Sequence, residues 1–423
     1  MKKRWNKEDI VAIILAAGRG TRMKSDVPKV LHEILGKPII RHVLDSLKSS
    51  GISRIITVTG YGSSLLKDVL KGTKIVVQKE LLGSGDAVKA AKKALGNYSG
   101  ELVIICGDTP LIGSDTIRRL VERHRYSRAS ATLLTAKVKD PTGYGRIVRK
   151  DGRIARIVEE DLAPVHEKAI DEVNVGTYCF NAKDLFESLS KVKPASNKAE
   201  YYLTETIEIL HKISKRIESV TVEDPDDMIG INTRSDLANA TKILKNRILE
   251  RVMSSGVTIE DTASTTIYPD AHIGRDTIIK PNTVIESDVR IGKNCGIGPF
   301  AHIRPGTKIG DNVEIGNFVE LVRTSVECGT KVKHHTYLGD AVVGRNVNIG
   351  AGTITANYDG KKKNKTIIED GSFIGVGAIL IAPVKIGKNA TVGAGCVVPK
   401  NRNVSKGATV VGVPARILKK SNK

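Results

Sequence analysis

Aromatic side chains are scarce in this sequence. Phe, Tyr and Trp together make up 4% of 423 residues, with a single Trp. Whatever core the chain builds is therefore aliphatic, which suits ladders of Ile and Val. Long apolar runs are also missing: no stretch approaches the roughly 20 residues that a membrane-spanning helix needs. The five cysteines (Cys106, Cys179, Cys295, Cys328 and Cys396) lie far apart, and none shows CxxC or other ligand-like spacing. Their odd number and scatter argue against a disulfide framework or a zinc site and for reduced thiols in a cytoplasmic compartment. The opening MKKRWNKED has the charge of a secretory leader, but the apolar run 10–17 enters a glycine-rich basic loop with no cleavage pattern.

Acidic residues are the minority charge. Sixty-seven Lys and Arg against 46 Asp and Glu give a formal net charge of +21. A field of that sign gathers anions. No Arg-rich run with interleaved aromatics and no nucleic-acid-binding module is present, so phosphorylated small molecules are the expected partners. Many of these lysines simply solvate the surface.

From Ile10 to about Asn232, short apolar runs alternate with helical patterns. IVAIILAAG, RIITVTG, KIVVQ, LVIICGD and ATLLTAKV read as buried strands. VLHEILGKPIIRHVLDSLKSSG and SDTIRRLVERHR read as helices between them. This alternation predicts an α/β domain over residues 1–232, with a mostly parallel sheet covered on both faces. Apolar residues at Leu237, Ala240, Leu244, Ile248 and Val252, followed by Gly256, predict one connecting helix over 233–256.

Beyond it the period changes. Aliphatic residues recur at every sixth position: Ile267, Ile273, Ile279, Ile285, Ile291, Ile297, Ile303, Ile309, Ile315 and Leu321. The series passes Val343 and Ile349 after two shortened steps and resumes as Ile368, Ile374, Leu380, Ile386, Val392 and Val398. Small or β-branched residues such as Ala271, Thr277, Thr283, Val289 and Ala301 follow four positions after members of the ladder. Neither a strand nor a helix has a period of six. Hexapeptides at fixed spacing mark a parallel β-helix, one flat side per hexapeptide, here predicted as left-handed over 257–423. ANYDGKKKNKT interrupts the ladder; its Gly and Lys content cannot fill a narrow interior, so it is expected to loop outward.

LAAGRGTRM follows the first strand and sets Gly18, Gly20, Thr21 and Arg22 at the sheet edge where ligands bind in open α/β folds. Glycines let backbone N–H groups approach phosphate oxygens, and Arg22 adds a charged fork. The loop matches neither the GxGxxG of a dinucleotide fold nor the GKS or GKT of a Walker loop. A glycine-rich loop alone also serves as a tight turn for steric reasons, and Asp108, Asn232 and Lys29 taken singly are equally readable as a cap, a turn residue and a surface lysine. The order of motifs is more telling: VPKVLHEILGKPII, LGSGDA, ICGDTPL, DPTGYGRIV, IVEE, NVGTY, EYYLTE and GINTR follow in turn. The second half adds IRPG, GNFVEL, KHHTYLGD, VNIGAGTITANYDGKKKNKT and VVGVPARI.

From about Val11 to Ile417 this series resembles the bifunctional N-acetylglucosamine-1-phosphate uridylyltransferase and glucosamine-1-phosphate acetyltransferase family. The resemblance implies that Leu15, Ala16, Ala17 and Gly18 surround uracil and ribose, that Arg22 and Lys29 bind the triphosphate, and that Gln78, Gly83 and Ser84 read the pyrimidine of UTP. It implies that Asp108 and Asn232 hold Mg²⁺, and that Gly145, Glu159 and Asn174, with Asn232, hold the sugar phosphate. In the β-helix it makes His334 the general base and Glu320 the carboxylate orienting it. Arg304, Tyr337 and Asn348 fall to the sugar phosphate, and Asn357, Tyr358 and Lys363 with Ala351 and Ala394 to acetyl-CoA. An imidazole suits the task, because the amine of glucosamine-1-phosphate must lose a proton as it attacks the thioester. His335 is read as structural.

The chain departs from the family pattern at Cys106 (frequently Tyr), Asp86 (frequently His), Val322 (usually Lys) and Val376 (frequently Ser). Arg323 stands next to the missing Lys, but neighbouring strand residues face opposite sides, so it replaces that Lys only where the backbone shifts. A β-helix triangular in section often packs side by side about a threefold axis, which predicts a homotrimer here, and the resemblance implies that the acetyltransferase sites lie between adjacent β-helices. Two other readings of the same residues stay open. One is a nucleotidyltransferase whose β-helix only trimerises or regulates, against which His334, Glu320 and the ANYDGKKKNKT loop count. The other is a non-enzymatic scaffold, against which the intact GRGTRM, Lys29 and Asp108 count.

Overall fold

The computed structural model describes residues 10–60, 62–194 and 200–418. Contacts divide the chain into two units, residues 1–241 and 242–423. Among the described residues, no helix is long and apolar enough to cross a membrane.

The first unit is built on strand β1 (Ile10–Ala16), whose residues Val11 to Ile14 are fully buried. Because side chains alternate across a strand, Ala12 and Ile14 join one apolar cluster while Val11 and Ile13 join the other. The first cluster takes in Val43 and Leu44 of α1 (Ile39–Ser49) and Ile117 and Leu120 of α3 (Ser114–Ser127). The second takes in Val88 and Ala91 of α2 (Ser84–Leu95), Leu185 of α4 (Ala182–Leu189) and Ile207 of α5 (Glu205–Lys212). A strand buried on both faces needs such helices on both sides.

β1 pairs in parallel with β2 (Arg54–Thr59) and with β4 (Glu101–Cys106), and β2 pairs in parallel with β3 (Lys74–Val77). The parallel strands all end on one edge, where Ala16 is level with Thr59 and Thr59 with Val77. Along the main path of the sheet one strand runs the other way. β8 (Glu172–Asn181) lies antiparallel between β4 and β5 (Ala131–Lys137), and it also carries the hairpin β6 (Arg146–Lys150) and β7 (Arg153–Val158). The far edge, β9 (Ile217–Thr221), is parallel to β5.

The helix expected over VLHEILGKPIIRHVLDSLKSSG is shorter than its pattern. Only Ile39–Ser49 is α-helical; Lys29–Leu31 is a 3-10 turn, and Glu33–Ile34 pairs with Lys37–Pro38 as a hairpin. Leu35 and Gly36 take φ of 48° and 72°, a turn that breaks the helical run, and Pro38 then opens α1.

Helix α6 spans Arg234–Ser254, so the division between the units falls inside it. Thr233 and Asp236 form a capping box at its start: Thr233 Oγ1 accepts from Asp236 N at 3.1 Å, and Asp236 Oδ2 accepts from Thr233 N at 2.8 Å. The same carboxylate accepts from Asn232 N at 2.9 Å, which fixes Asn232 at the helix entrance.

The second unit is the left-handed β-helix of hexapeptide repeats. Its rungs stack in parallel, Ile279 on Ile297 on Ile315 and Ile285 on Ile303 on Leu321. The sixth-position aliphatics fill the prism and are buried, apart from half-buried Ile273. Buried threonines bond the neighbouring coil: Thr277 Oγ1 donates to the Gly292 carbonyl at 2.9 Å and Thr330 Oγ1 to that of Gly344 at 2.7 Å. ANYDGKKKNKT projects outward, with Asp359 to Lys363 exposed.

Candidate active sites

The first site lies where β1, β2, β3 and β4 end. Gly20, at φ 64°, starts the turn Thr21–Met23, and a Cβ placed on it would lie 2.6 Å from Lys29 Cβ. Only glycine allows this backbone and this approach together, so GRGTRM and Lys29 are packed as one piece. Lys29 Nζ reaches Asp108 Oδ2 at 2.5 Å and Asn232 Oδ1 at 3.0 Å. Asp108 follows β4 and also holds the chain beyond the site, its carbonyl accepting from Ile231 N at 2.9 Å. Arg22 is exposed at the same end, and its charge helps hold the Asp236 carboxyl below its usual range, behind the hydrogen bonds from Asn232 and Thr233.

Asp108 and Asn232 offer a carboxylate and an amide oxygen. Mg²⁺ takes hard oxygen donors, usually one or two carboxylates completed by substrate phosphates, so this pair fits the ion. Lys29 is the counter-charge between them.

Gly145, Glu159 and Asn174 come together beside this group. Asn174 N donates to the Gly145 carbonyl at 2.8 Å, and a Cβ on Gly145 would sit 3.6 Å from Glu159 Oε2. Glu159 accepts from Thr204 Oγ1 at 2.7 Å, and burial raises its pKa despite that bond. Cys106 lies between the two groups, within electrostatic reach of Asp108, Lys29 and Glu159; burial, then Asp108, pushes its thiol up to about 12. Leu15 and Ala16 close β1, and Ala17 follows, its carbonyl 2.6 Å from where a Cβ on Gly60 would lie. Gly18 faces open space.

Gln78 extends β3, its N–H donating to the Thr59 carbonyl at 2.7 Å. Gly83 and Ser84 start α2 and are pinned by the segment 201–203: Gly85 N donates to Tyr201 O at 2.8 Å, and Leu203 N to Ser84 Oγ at 3.0 Å. A cavity of about 800 Å³ runs beside Gln78 and Asp86, along Lys74, Lys79 and Lys93.

In the β-helix, strand Lys331–Gly339 carries His334 over Asn317 of strand Glu314–Val322. His334 Nδ1 lies 3.0 Å from Asn317 Oδ1. The resemblance gave this partnership to Glu320, but within the chain Glu320 is level with Tyr337 and its carboxylate accepts from Arg304 Nη1 at 2.9 Å. Asn317 was not singled out from the sequence. It stands 17 residues, one shortened coil, before His334, and that spacing was the available signal.

His334 opens on a groove of about 240 Å³ with Lys280, Glu314, Lys333 and Gly316. Counting on from the paired rungs, His334, Ala351, Val376 and Ala394 form one column on successive coils: Gly352 N donates to His335 O at 2.9 Å, Gly377 N to Ala351 O at 2.7 Å and Gly395 N to Val376 O at 2.7 Å. Next to this column, Phe300, Phe318 and His335 stack with ring centroids 5.0 Å apart, all at positive φ.

Val322 is buried, and the strand ends there. Arg323 turns out at φ 49° and grips Asp340 with two bonds, Nε to Oδ1 at 2.7 Å and Nη2 to Oδ2 at 2.9 Å. Asn357 Nδ2 donates to the same carboxylate at 2.5 Å. Arg304 and Arg323 both lie within electrostatic reach of the Tyr337 hydroxyl. Tyr358 and Lys363 pair across the outward loop, and Asn348 is exposed on the rung above Lys331.

Residues 11–226 match the nucleotidyl transferase family, and residues 288–323 and 365–400 match the bacterial transferase hexapeptide (six repeats) family. The chain is 44% identical over 419 residues to the bifunctional protein GlmU of Shouchella clausii, covering 91% of this chain and 92% of that one. It is 45% identical over 419 residues to the protein of that name from Geobacillus sp. strain WCH70, covering 91% of each. Against that of Carboxydothermus hydrogenoformans it is 43% identical over 418 residues, covering 90% of this chain and 93% of the relative.

Proposed function

This chain belongs to the family of bifunctional GlmU proteins, carrying a nucleotidyltransferase and a hexapeptide acyltransferase in one polypeptide, and from that premise we propose that it makes UDP-N-acetylglucosamine in two steps. The β-helix domain (257–423) acetylates glucosamine-1-phosphate from acetyl-CoA. The first domain (1–232), joined to it by the segment 233–256 that holds helix α6, then uridylylates the product with UTP. The convergence of Lys29, Asp108 and Asn232 at the end of the parallel strands is the observation that carries the uridylylation reading.

In the first site a phosphate oxygen of the sugar-1-phosphate attacks the α-phosphorus of UTP. The new P–O bond forms as the bond to the β-phosphate breaks, and pyrophosphate leaves. The nucleophile is already ionised, so no general base is needed, and positioning with charge neutralisation supplies most of the rate. Arg22 and Lys29 hold the triphosphate; Gly145, Glu159 and Asn174 hold the sugar phosphate. Mg²⁺, held by Asp108 and Asn232, supplies further neutralisation of phosphate charge when bound.

In the second site the amine nitrogen attacks the thioester carbonyl, its proton passes to the free ring nitrogen of His334, and CoA leaves as the thiol once reprotonated. Asn317 at Nδ1 supports this by leaving Nε2 for the amine. The His334–Ala351–Ala394 column supports coenzyme running along the coils. Arg304 and Tyr337 with Asn348 serve the sugar phosphate; Asn357, Tyr358 and Lys363 border the coenzyme. The flat faces of the prism support a homotrimer.

The test is one assay with glucosamine-1-phosphate, acetyl-CoA, UTP and Mg²⁺, scoring CoA release and pyrophosphate release separately. Both are expected, CoA first. Pyrophosphate released only from pre-acetylated sugar, with no CoA, would select a β-helix that merely trimerises.

A further inference from the structure

The side chain of Gln78 is held in a way that limits what it can recognise. Its residue is 5% exposed. Nε2 donates to Asp86 Oδ2 at 2.6 Å and to the Gly83 carbonyl at 3.3 Å. An amide nitrogen has two N–H groups, and both are now committed. The two partners are oxygen acceptors, so flipping the amide would set Oε1 against two other oxygens at hydrogen-bonding distance.

Neither acceptor is free to drift. The Gly83 backbone takes φ 95°, and a Cβ there would meet the Tyr201 carbonyl at 2.7 Å, so this turn is fixed against the 201–203 segment. Asp86 sits in the first turn of α2, where a negative charge is favoured by the helix N-terminus. What Gln78 has left for a ligand is Oε1, an acceptor only.

An acceptor pairs with the N3–H of uracil or thymine and opposes the N3 lone pair of cytosine. We infer that Asp86 is a specificity-determining residue of the nucleotide site: by locking the Gln78 amide, it makes the site choose a pyrimidine that carries a hydrogen at N3. Asp86 touches no base itself and acts through Gln78. The inference rests on the reading of Gln78 as the residue that meets the base.

Its test is the ratio of kcat/KM for UTP over CTP, measured by pyrophosphate release with N-acetylglucosamine-1-phosphate. Asp86→Ala removes the shorter acceptor and leaves only the longer bond to the Gly83 carbonyl, at 3.3 Å, to oppose a flip, so cytosine N3 can turn the amide and accept its N–H; the ratio falls about tenfold or more, mainly through better use of CTP. Asp86→Asn, whose carbonyl still accepts, keeps most of the ratio. A purely structural role would lower both nucleotides together, and an unchanged ratio in Asp86→Ala overturns the inference. Gln78→Ala separates the two layers. A loss of UTP kcat/KM there with no change of ratio in Asp86→Ala removes only the locking role, whereas no loss removes the reading of Gln78 as well.

Discussion

Lys29 Nζ lies 2.5 Å from Asp108 Oδ2, although 79 residues separate the two in the chain. The ammonium also reaches Asn232 Oδ1, so the cation expected on the triphosphate sits between the two oxygens expected on the metal. With 13% of its side chain exposed against 22% for Asp108, the pair is shielded but open to a ligand.

Substitution at this pair is expected to separate the activities. Lys29→Ala removes a positioned charge and should lower uridylyl transfer by about 10²–10³-fold, leaving CoA release within a factor of about two of the parent. Asp108→Ala should do the same and raise the Mg²⁺ concentration needed for half-maximal rate. Equal loss of both activities in Lys29→Ala would contradict the assignment.

Gly20→Ala acts at the same place through the backbone. Its Cβ would fall 2.6 Å from Lys29 Cβ at a φ of 64°, so the turn must shift and move Lys29 with it. KM for UTP should rise and kcat fall together, measured as pyrophosphate release over a UTP series.

At the second site, His334→Ala should abolish CoA release while pyrophosphate release from N-acetylglucosamine-1-phosphate persists. Asn317→Asp places a carboxylate 3.0 Å from Nδ1. A negative neighbour favours the imidazolium, so the acid limb of the acetylation pH–rate profile should move to higher pH. Asn317→Ala should lower kcat without that displacement. A profile unmoved by Asn317→Asp would separate Asn317 from the base.

Stability in acid has a calculable direction. His124 is 3% exposed, bonded through Nδ1 to Thr132 Oγ1 at 3.0 Å, and burial holds its pKa at about 4 against an ordinary 6.5. The unfolded chain therefore takes up a proton at 6.5 that the folded unit refuses until about 4. Stability is lost as pH falls through that window, is unaffected by this group above it, and changes no further below it; the loss is on the order of 3 kcal/mol. Burial lowers the pKa of His42 in the same direction. Denaturant unfolding of the parent and of His124→Gln at pH 7 and pH 4.5 should show the larger acid loss in the parent.

In the prism, Ile315→Ala empties a fully packed rung and should cost about 2–5 kcal/mol. Gly316→Ala is harsher locally, because its Cβ would lie 1.7 Å from the Lys333 carbonyl and push apart the strands that carry Asn317 and His334. Acetylation should fall in both variants, more steeply for Gly316→Ala, while uridylylation is retained.

Much of the architecture was legible before any coordinates. The sixth-position aliphatics prescribe a β-helix because only that fold brings period six to one interior face, and the alternation of apolar strands and amphipathic helices prescribes the covered sheet. The Lys29–Asp108–Asn232 group was nameable one residue at a time from motif order. The helical pattern runs on through LGKP but the helix does not, because Leu35 and Gly36 enter the left-handed region, a local turn that outweighs the apolar spacing on either side. The antiparallel course of Glu172–Asn181 left no trace in its own apolar pattern, since a buried strand looks alike in both directions.

Composition and period by themselves determined an aliphatic interior, two architectures in one chain and a strongly positive net charge, because apolar content, periodicity and charge are properties of each segment alone. Which polar side chain serves which partner was decided in three dimensions. Glu320 goes to Arg304, Asn317 to His334, and both N–H groups of Gln78 to Gly83 and Asp86. Hydrogen bonds are short and directional, and the register of coils and strand edges, absent from any single segment, sets which donor faces which acceptor.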